Sequence, residues 1–161
     1  MINMVWLKRK CKEALESDVY YLSRVQTLLG EPLNYYHGTN ENRAEEILPA
    51  MVFLVETSTD PEGENAEYPI IFNIQIEGNQ ELENKGYNTE EIVAELAVEA
   101  VGVLKEKISC FGDFYMSNSS MAVAPITDAM IDEDETTFEA QIGYQVSVEV
   151  VVSEVKFLNK G

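Results

Sequence analysis

The longest constraint on this chain is a run near its C-terminus, Phe138 to Val155. Phe138, Ala140, Ile142, Tyr144, Val146, Val148, Val150 and Val152 occupy the even positions. The odd positions carry Glu139, Gln141, Gly143, Gln145, Ser147, Glu149, Val151 and Ser153. Alternation with a period of two predicts a strand with one buried and one wet face. At about 3.3 Å per residue such a strand spans roughly 50 Å. A globule of this length is only about 40 Å across, given a radius of gyration near 15 Å. The strand must therefore bend, with Gly143 the candidate bulge, or project beyond its own domain. A projecting strand exposes unpaired backbone groups and calls for a neighbour, so self-assembly is the first functional expectation.

The chain has 161 residues, which predicts one α+β domain over 1–161 with enough length for a real core. No apolar stretch reaches the length of a membrane span. The basic cluster Lys8 to Lys12 follows the first apolar residues, the reverse of a secretory signal. The expectation is a soluble protein made and used inside a cell, with no membrane partner. Cys11 and Cys110 lie far apart in sequence and in different predicted elements, which reads as two reduced core or boundary thiols. One histidine and no Cys–His cluster argue against structural zinc.

The net charge is −18 and is unevenly placed. Residues 1–43 hold six Lys/Arg and five Asp/Glu, a balance of +1, which leaves −19 for the remainder. Such a field repels nucleic acid, whose binding depends on cations set against phosphates. DNA is therefore not expected as a bound partner.

Taken in order, Met4, Leu7, Cys11, Leu15, Leu22, Val25 and Leu29 predict one amphipathic helix over about 3–28, ended by Gly30 and Pro32. The sheet and its covering helix are expected within 33–157. Leu33 to His37 reads as a short strand, Asn40 to Leu48 as a possible helical turn, and Met51 to Glu56 as a strand. Thr57 to Glu67 has little to bury and reads as a loop. Tyr68 to Glu77 alternates cleanly. Asn88, with Glu91 three positions on, predicts the start of a helix whose apolar stripe runs from Ile92 to Ile108. A final hairpin is expected from Met121 to Ile131, an acidic connection Asp132 to Thr137, and the long returning strand. The expected architecture is an antiparallel or mixed sheet of four or five strands, with one long helix on a face and an amphipathic N-terminal helix. Four consecutive acids at the hairpin tip repel one another and read as no benefit to the fold.

Two resemblances bear on function. Tyr36-His37-Gly38-Thr39, followed by Ala44 and Ile47-Leu48, resembles the first motif of ADP-ribosyltransferases, which implies NAD contacts at His37 and Gly38. Gly86-Tyr87-Asn88-Thr89 is faintly similar to that family's tyrosine-bearing motif. Pro49-Ala50-Met51 stands where that family usually has a glycine, and no single downstream Glu completes its set. The order of elements, with Leu33-Asn34-Tyr35-Tyr36, Leu48-Pro49 and the closing Ile142 to Val150, is similar to the tail terminator proteins of tailed bacteriophages. That resemblance covers nearly the whole chain. It implies a structural virion subunit rather than an enzyme, with no cofactor, metal or catalytic residues, forming a ring that is usually hexameric. Such a ring caps the tail tube, stops its polymerisation and meets the head–tail connector protein.

Under that reading DNA only passes through the ring, and Glu62, Glu64, Asp132, Glu133, Asp134 and Glu135 are expected on lumen-facing or tube-facing loops. Lys8 and Lys10, with Arg9 and Lys12, are expected against acids of the next subunit or of the tail tube protein. A third class, an acidic DNA mimic that sequesters a basic partner, rests on charge alone.

Overall fold

The structure is a computed structural model and describes residues 4–37, 49–55, 67–77 and 88–154. Helices α1 (Met4–Ser17) and α2 (Val19–Leu29) come first, then strands β1 (Asn34–His37), β2 (Ala50–Val55) and β3 (Glu67–Glu77). Helix α3 (Thr89–Lys107) and a short 3-10 turn (Ile108–Phe111) lead into β4 (Phe114–Ile131) and β5 (Thr137–Glu154). The strands form one mixed sheet in the order β1-β2-β3-β5-β4, parallel only between β1 and β2. The α+β class and the helix-covered mixed sheet are as the sequence led one to expect.

The core lies on one face of that sheet. Ile70, Phe72, Ile74 and Ile76 of β3 are opposite Val150, Val148, Val146 and Tyr144 of β5, and all but Tyr144 are essentially inaccessible. Phe53 of β2 meets Phe72 edge-on, 4.7 Å between centroids, a geometry that suits the ring quadrupoles. Over this surface α3 lays Ile92, Val93, Leu96, Ala97, Ala100, Val103 and Leu104. Asn88 caps it by accepting the Glu90 N–H at 2.9 Å, and Glu90, Glu91, Lys105 and Lys107 suit the helix dipole. Leu7, Cys11 and Leu15 of α1 and Tyr21, Val25, Leu28 and Leu29 of α2 complete the same cluster. The Tyr21 hydroxyl donates to the Leu96 carbonyl at 3.0 Å, which satisfies a buried polar group and ties α2 to α3.

Three expectations need correction. The N-terminal helix is two helices, because Asp18 adopts extended dihedrals and caps α2. The break rotates α2, so Tyr21 and Leu28 are buried while Leu22 is 40% exposed. Strand β4 begins at Phe114 rather than Met121, since Phe114 and Met116 pack on the core ahead of the polar run Ser117 to Ser120.

The third correction concerns β5. Its even positions do not share one face throughout, because the register passes from Ile126 opposite Gly143 to Thr127 opposite Gln141. Ile142 is the extra residue of a bulge adjoining Gly143, and counting along the register puts Phe138 on the face opposite Val146. Phe138 is accordingly exposed. The helical turn expected over Asn40 to Leu48, and the loop expected over Thr57 to Glu67 up to the start of β3, lie outside the described residues.

Candidate functional site

Strand β3 accompanies β5 only between Ser153 and Gly143. From Gln141 to Thr137, β5 pairs with β4 alone among the described residues. The last five pairs, Thr127–Gln141 to Ile131–Thr137, therefore form a two-stranded ribbon that runs on past the core. At about 3.3 Å per residue they carry the tip some 17 Å onward. The strand thus both bulges and projects. Ile131 is 72% and Phe138 44% exposed on this ribbon, and two-stranded ribbons with uncovered faces are marginal by themselves.

The acidic residues close the ribbon, and one of them holds the turn. The Asp132 carboxylate accepts the N–H groups of Asp134 at 3.0 Å and Thr136 at 2.8 Å. Its backbone N–H donates to the Thr136 carbonyl, and the Glu135 N–H donates to the Asp132 carbonyl, both at 3.1 Å. Glu135 completes the turn at φ 59°, a left-handed conformation that non-glycine residues seldom adopt. The expectation that all four acids are without structural benefit is thus corrected for Asp132. Glu133, Asp134 and Glu135 are exposed.

Strand β4 is an outer edge of the sheet. Its eighteen residues include one charged side chain, Asp128, in a chain of net charge −18. Tyr115, Met121 and Val123 are exposed along it. A bulge at Ser117 and the proline at 125 are its edge devices, and Ser117 Oγ donates to the Val151 carbonyl at 3.1 Å. Long charged side chains, the commonest protection of an edge, are absent from Phe114 to Thr127.

A second surface lies at the helical end. Lys8 on α1 is half-buried, and desolvation, with a smaller contribution from Arg9, lowers its pKa. The Lys10 ammonium is 3.7 Å from Glu13 and 5.9 Å from the centroid of the Trp6 ring, while Lys12 pairs with Glu16. Trp6 in turn meets Phe111 and Phe114 at 6.4 and 6.3 Å between centroids. Beside Lys10 an open cleft of about 570 Å³ is lined by Glu13, Ala14, Ser17, Asp18, Val19, Tyr20, Lys107 and Phe111. Val19 and Tyr20 are 82% and 61% exposed.

Arg24 is engaged elsewhere, donating to Glu99 at 2.8 Å and to Glu95 at 2.6 Å. Its hydrogen bond to the Glu99 carboxylate, with the charge of that group, raises the Arg24 pKa. The sequence pattern marks Tyr20 as widening the apolar face of the N-terminal helix, but it does not place Val19, Lys107 and Phe111 beside it.

The structure brings Asp132 to Glu135 together at one tip and Lys8 and Lys10 together on α1. Glu62 and Glu64 lie outside the described residues. His37 ends β1 with its backbone in register with Phe53, while Gly38, Thr39, Ala44, Ile47 and Leu48 lie outside the described residues. Of Gly86-Tyr87-Asn88-Thr89, the last two open α3 and Thr89 is buried. Among the described residues no group of three or more His, Cys, Asp or Glu side chains could hold a metal ion, and no helix is long and apolar enough to cross a membrane. No family model and no curated protein matches the chain.

Proposed function

We propose that this chain is a ring-forming structural subunit of a bacteriophage-type tail, a tail terminator assembled in the host cytoplasm and carried in the virion neck. The observation that carries the reading is the β4–β5 ribbon, which leaves its own core and presents an apolar and acidic tip with no cover from the described residues. Such an element is costly to expose and gains its stability from a neighbour. A ring joined head to tail needs two different complementary faces. The ribbon with the sparsely charged β4 edge supplies one, and the α1–α2 surface supplies the other. A net charge of −18 suits a wall past which DNA must slide, because it lowers the residence of phosphate there. The product of the fold, on this reading, is a shape that stops tube growth and offers a platform to the connector.

The test is assembly on tubes. Purified tail tube protein is polymerised in the presence of this chain, and the particles are imaged by electron microscopy. Rings at one tube end, together with tubes of arrested length, are the expected result. Tubes that grow to the length of controls with bare ends would sink the reading.

A further inference from the structure

We infer that the acidic ribbon tip of one copy seats in the cleft between α1, α2 and the 3-10 turn of the next. The occupant is a second copy of this chain, and charge together with apolar exposure selects it. Helix α1 holds four cations, Lys8, Arg9, Lys10 and Lys12, against Glu13 and Glu16, a balance of +2. The end of α3, Lys105-Glu106-Lys107, adds +1, and Lys107 shares the cleft wall with Lys10. These segments carry a net positive charge in a chain of −18.

The cleft wall itself is balanced, Lys10 and Lys107 against Glu13 and Asp18, and the excess of cations lies around it on α1 and the end of α3. Glu13 lies against Lys10, and Asp18 accepts the Tyr21 N–H as a helix cap. Opposite stands a tip of four consecutive acids, three of them not needed to hold the turn. Apolar exposure matches as well. Ile131 and Phe138 lie directly behind the tip, and Val19 and Tyr20 flank the cleft, all four exposed.

The tip and the cleft are different surfaces, so the contact is heterologous and each copy offers one of each. Repeated with a closing rotation it gives a ring. The edge strand β4 travels with the tip, which places its uncharged side beside the neighbour rather than in open solvent. This docking rests on the ring reading above and specifies which faces meet.

Reversal of charge on each side tests it with the full chain. Glu133→Lys, Asp134→Lys and Glu135→Lys together turn the tip from four acids to three cations and one acid, while leaving Asp132 to hold the turn. Lys10→Glu with Lys107→Glu alters the cleft. Association is measured by sedimentation velocity and light scattering up to about 1 mM, the weakest range of specific contacts. Circular dichroism checks that each variant folds.

Each altered chain alone is expected to associate at least about tenfold more weakly than the wild type. An equimolar mixture of the two restores association, because every tip then finds a helical end of opposite sign in alternating order. A single chain carrying all five substitutions restores it too. Zero-length carbodiimide coupling of wild type, with one copy isotope-labelled, is expected to join Glu133 or Asp134 of one copy to Lys10 or Lys107 of another. Single variants that associate like the wild type, or a mixture that fails to recover, overturn the docking. Rings would then have to form through another contact, with the tube experiment still standing. A wild type that remains monomeric and uncoupled at about 1 mM also overturns the docking, and the tube assay judges the tail reading separately.

Discussion

A single oxygen of Asp18 starts α2, accepting the Tyr21 N–H at 2.8 Å while its backbone stays extended at φ −74° and ψ 114°. Replacement by alanine leaves that donor without its cap, at a cost of about 1 kcal/mol. Asp18→Ala should lower the unfolding free energy by this amount in denaturant titrations, and Asp18→Asn should recover most of it. Cys11 shows the other way a residue reports on its surroundings. Burial pushes its thiol from the ordinary 9.0 up to about 12. The folded state therefore holds a proton that the unfolded chain releases, so the contribution is intact below pH 9 and lost as pH rises toward 12.

Between pH 9 and pH 10 the stability should fall by about 1 kcal/mol from this group, and Cys11→Ala, though less stable throughout, should flatten that slope. Tyr21 is raised in the same sense and adds to the loss at higher pH. In a native sample a thiol reagent should label the exposed Cys110 promptly and reach Cys11 only on unfolding. The burial of Cys11 was legible from its place on the stripe with Leu7 and Leu15. The break at Asp18 was not, because a stripe through Leu22 and one through Tyr21 differ by a single position. Only the cap bond decides between them.

At the scale of elements the ribbon is the feature that ordinary packing does not support. Its backbone hydrogen bonds run between two strands with no third among the described residues to shield them, whereas those from Val146 to Val152 lie under α3. Amide exchange should rank accordingly, with protection at Thr127 to Ile131 and Phe138 to Gln141 far below that at Ile70 to Ile76. Glu135 adds a local cost, since a left-handed conformation disfavours a side chain by about 1–2 kcal/mol. Glu135→Gly should slow exchange of the ribbon amides about fivefold while leaving the global unfolding midpoint nearly unchanged.

The length of β5 and the need for a bulge near Gly143 were both readable from alternation and from the size of the globule. The swap of faces at Ile142 was invisible, because apolar residues continue on even positions through the bulge and no break marks it. The early start of β4 was hidden for a related reason. Ser117-Asn118-Ser119-Ser120 has the composition of a loop, and only pairing with Val151 to Glu149 makes it a strand. The candidate surface was half legible, since its charges show in the sequence while the cleft joining Lys10 to Lys107 exists only after α1 and α3 pack.

Charge at the scale of the whole molecule acts in two opposed directions, and salt separates them. Within one copy, −18 charges are mostly unopposed and push the fold apart. Between copies, the proposed contact sets the acidic tip against a cationic helical end and is drawn together by the same forces. Raising ionic strength from about 0.01 M to about 0.15 M shortens the screening length from roughly 30 Å to roughly 8 Å. Repulsion spread over the surface is screened first, so the unfolding temperature measured at low, monomer-favouring concentration should rise with salt. Association through exposed charges should weaken over the same range. The two trends must cross in sign, with a monomer more stable and an assembly less so. A stability that falls with salt would mean that attractive pairs such as Arg24 with Glu95 and Glu99 outweigh the net field. An association that strengthens with salt would mean that Ile131, Phe138, Val19 and Tyr20 hold the copies together and that the acids only select the partner.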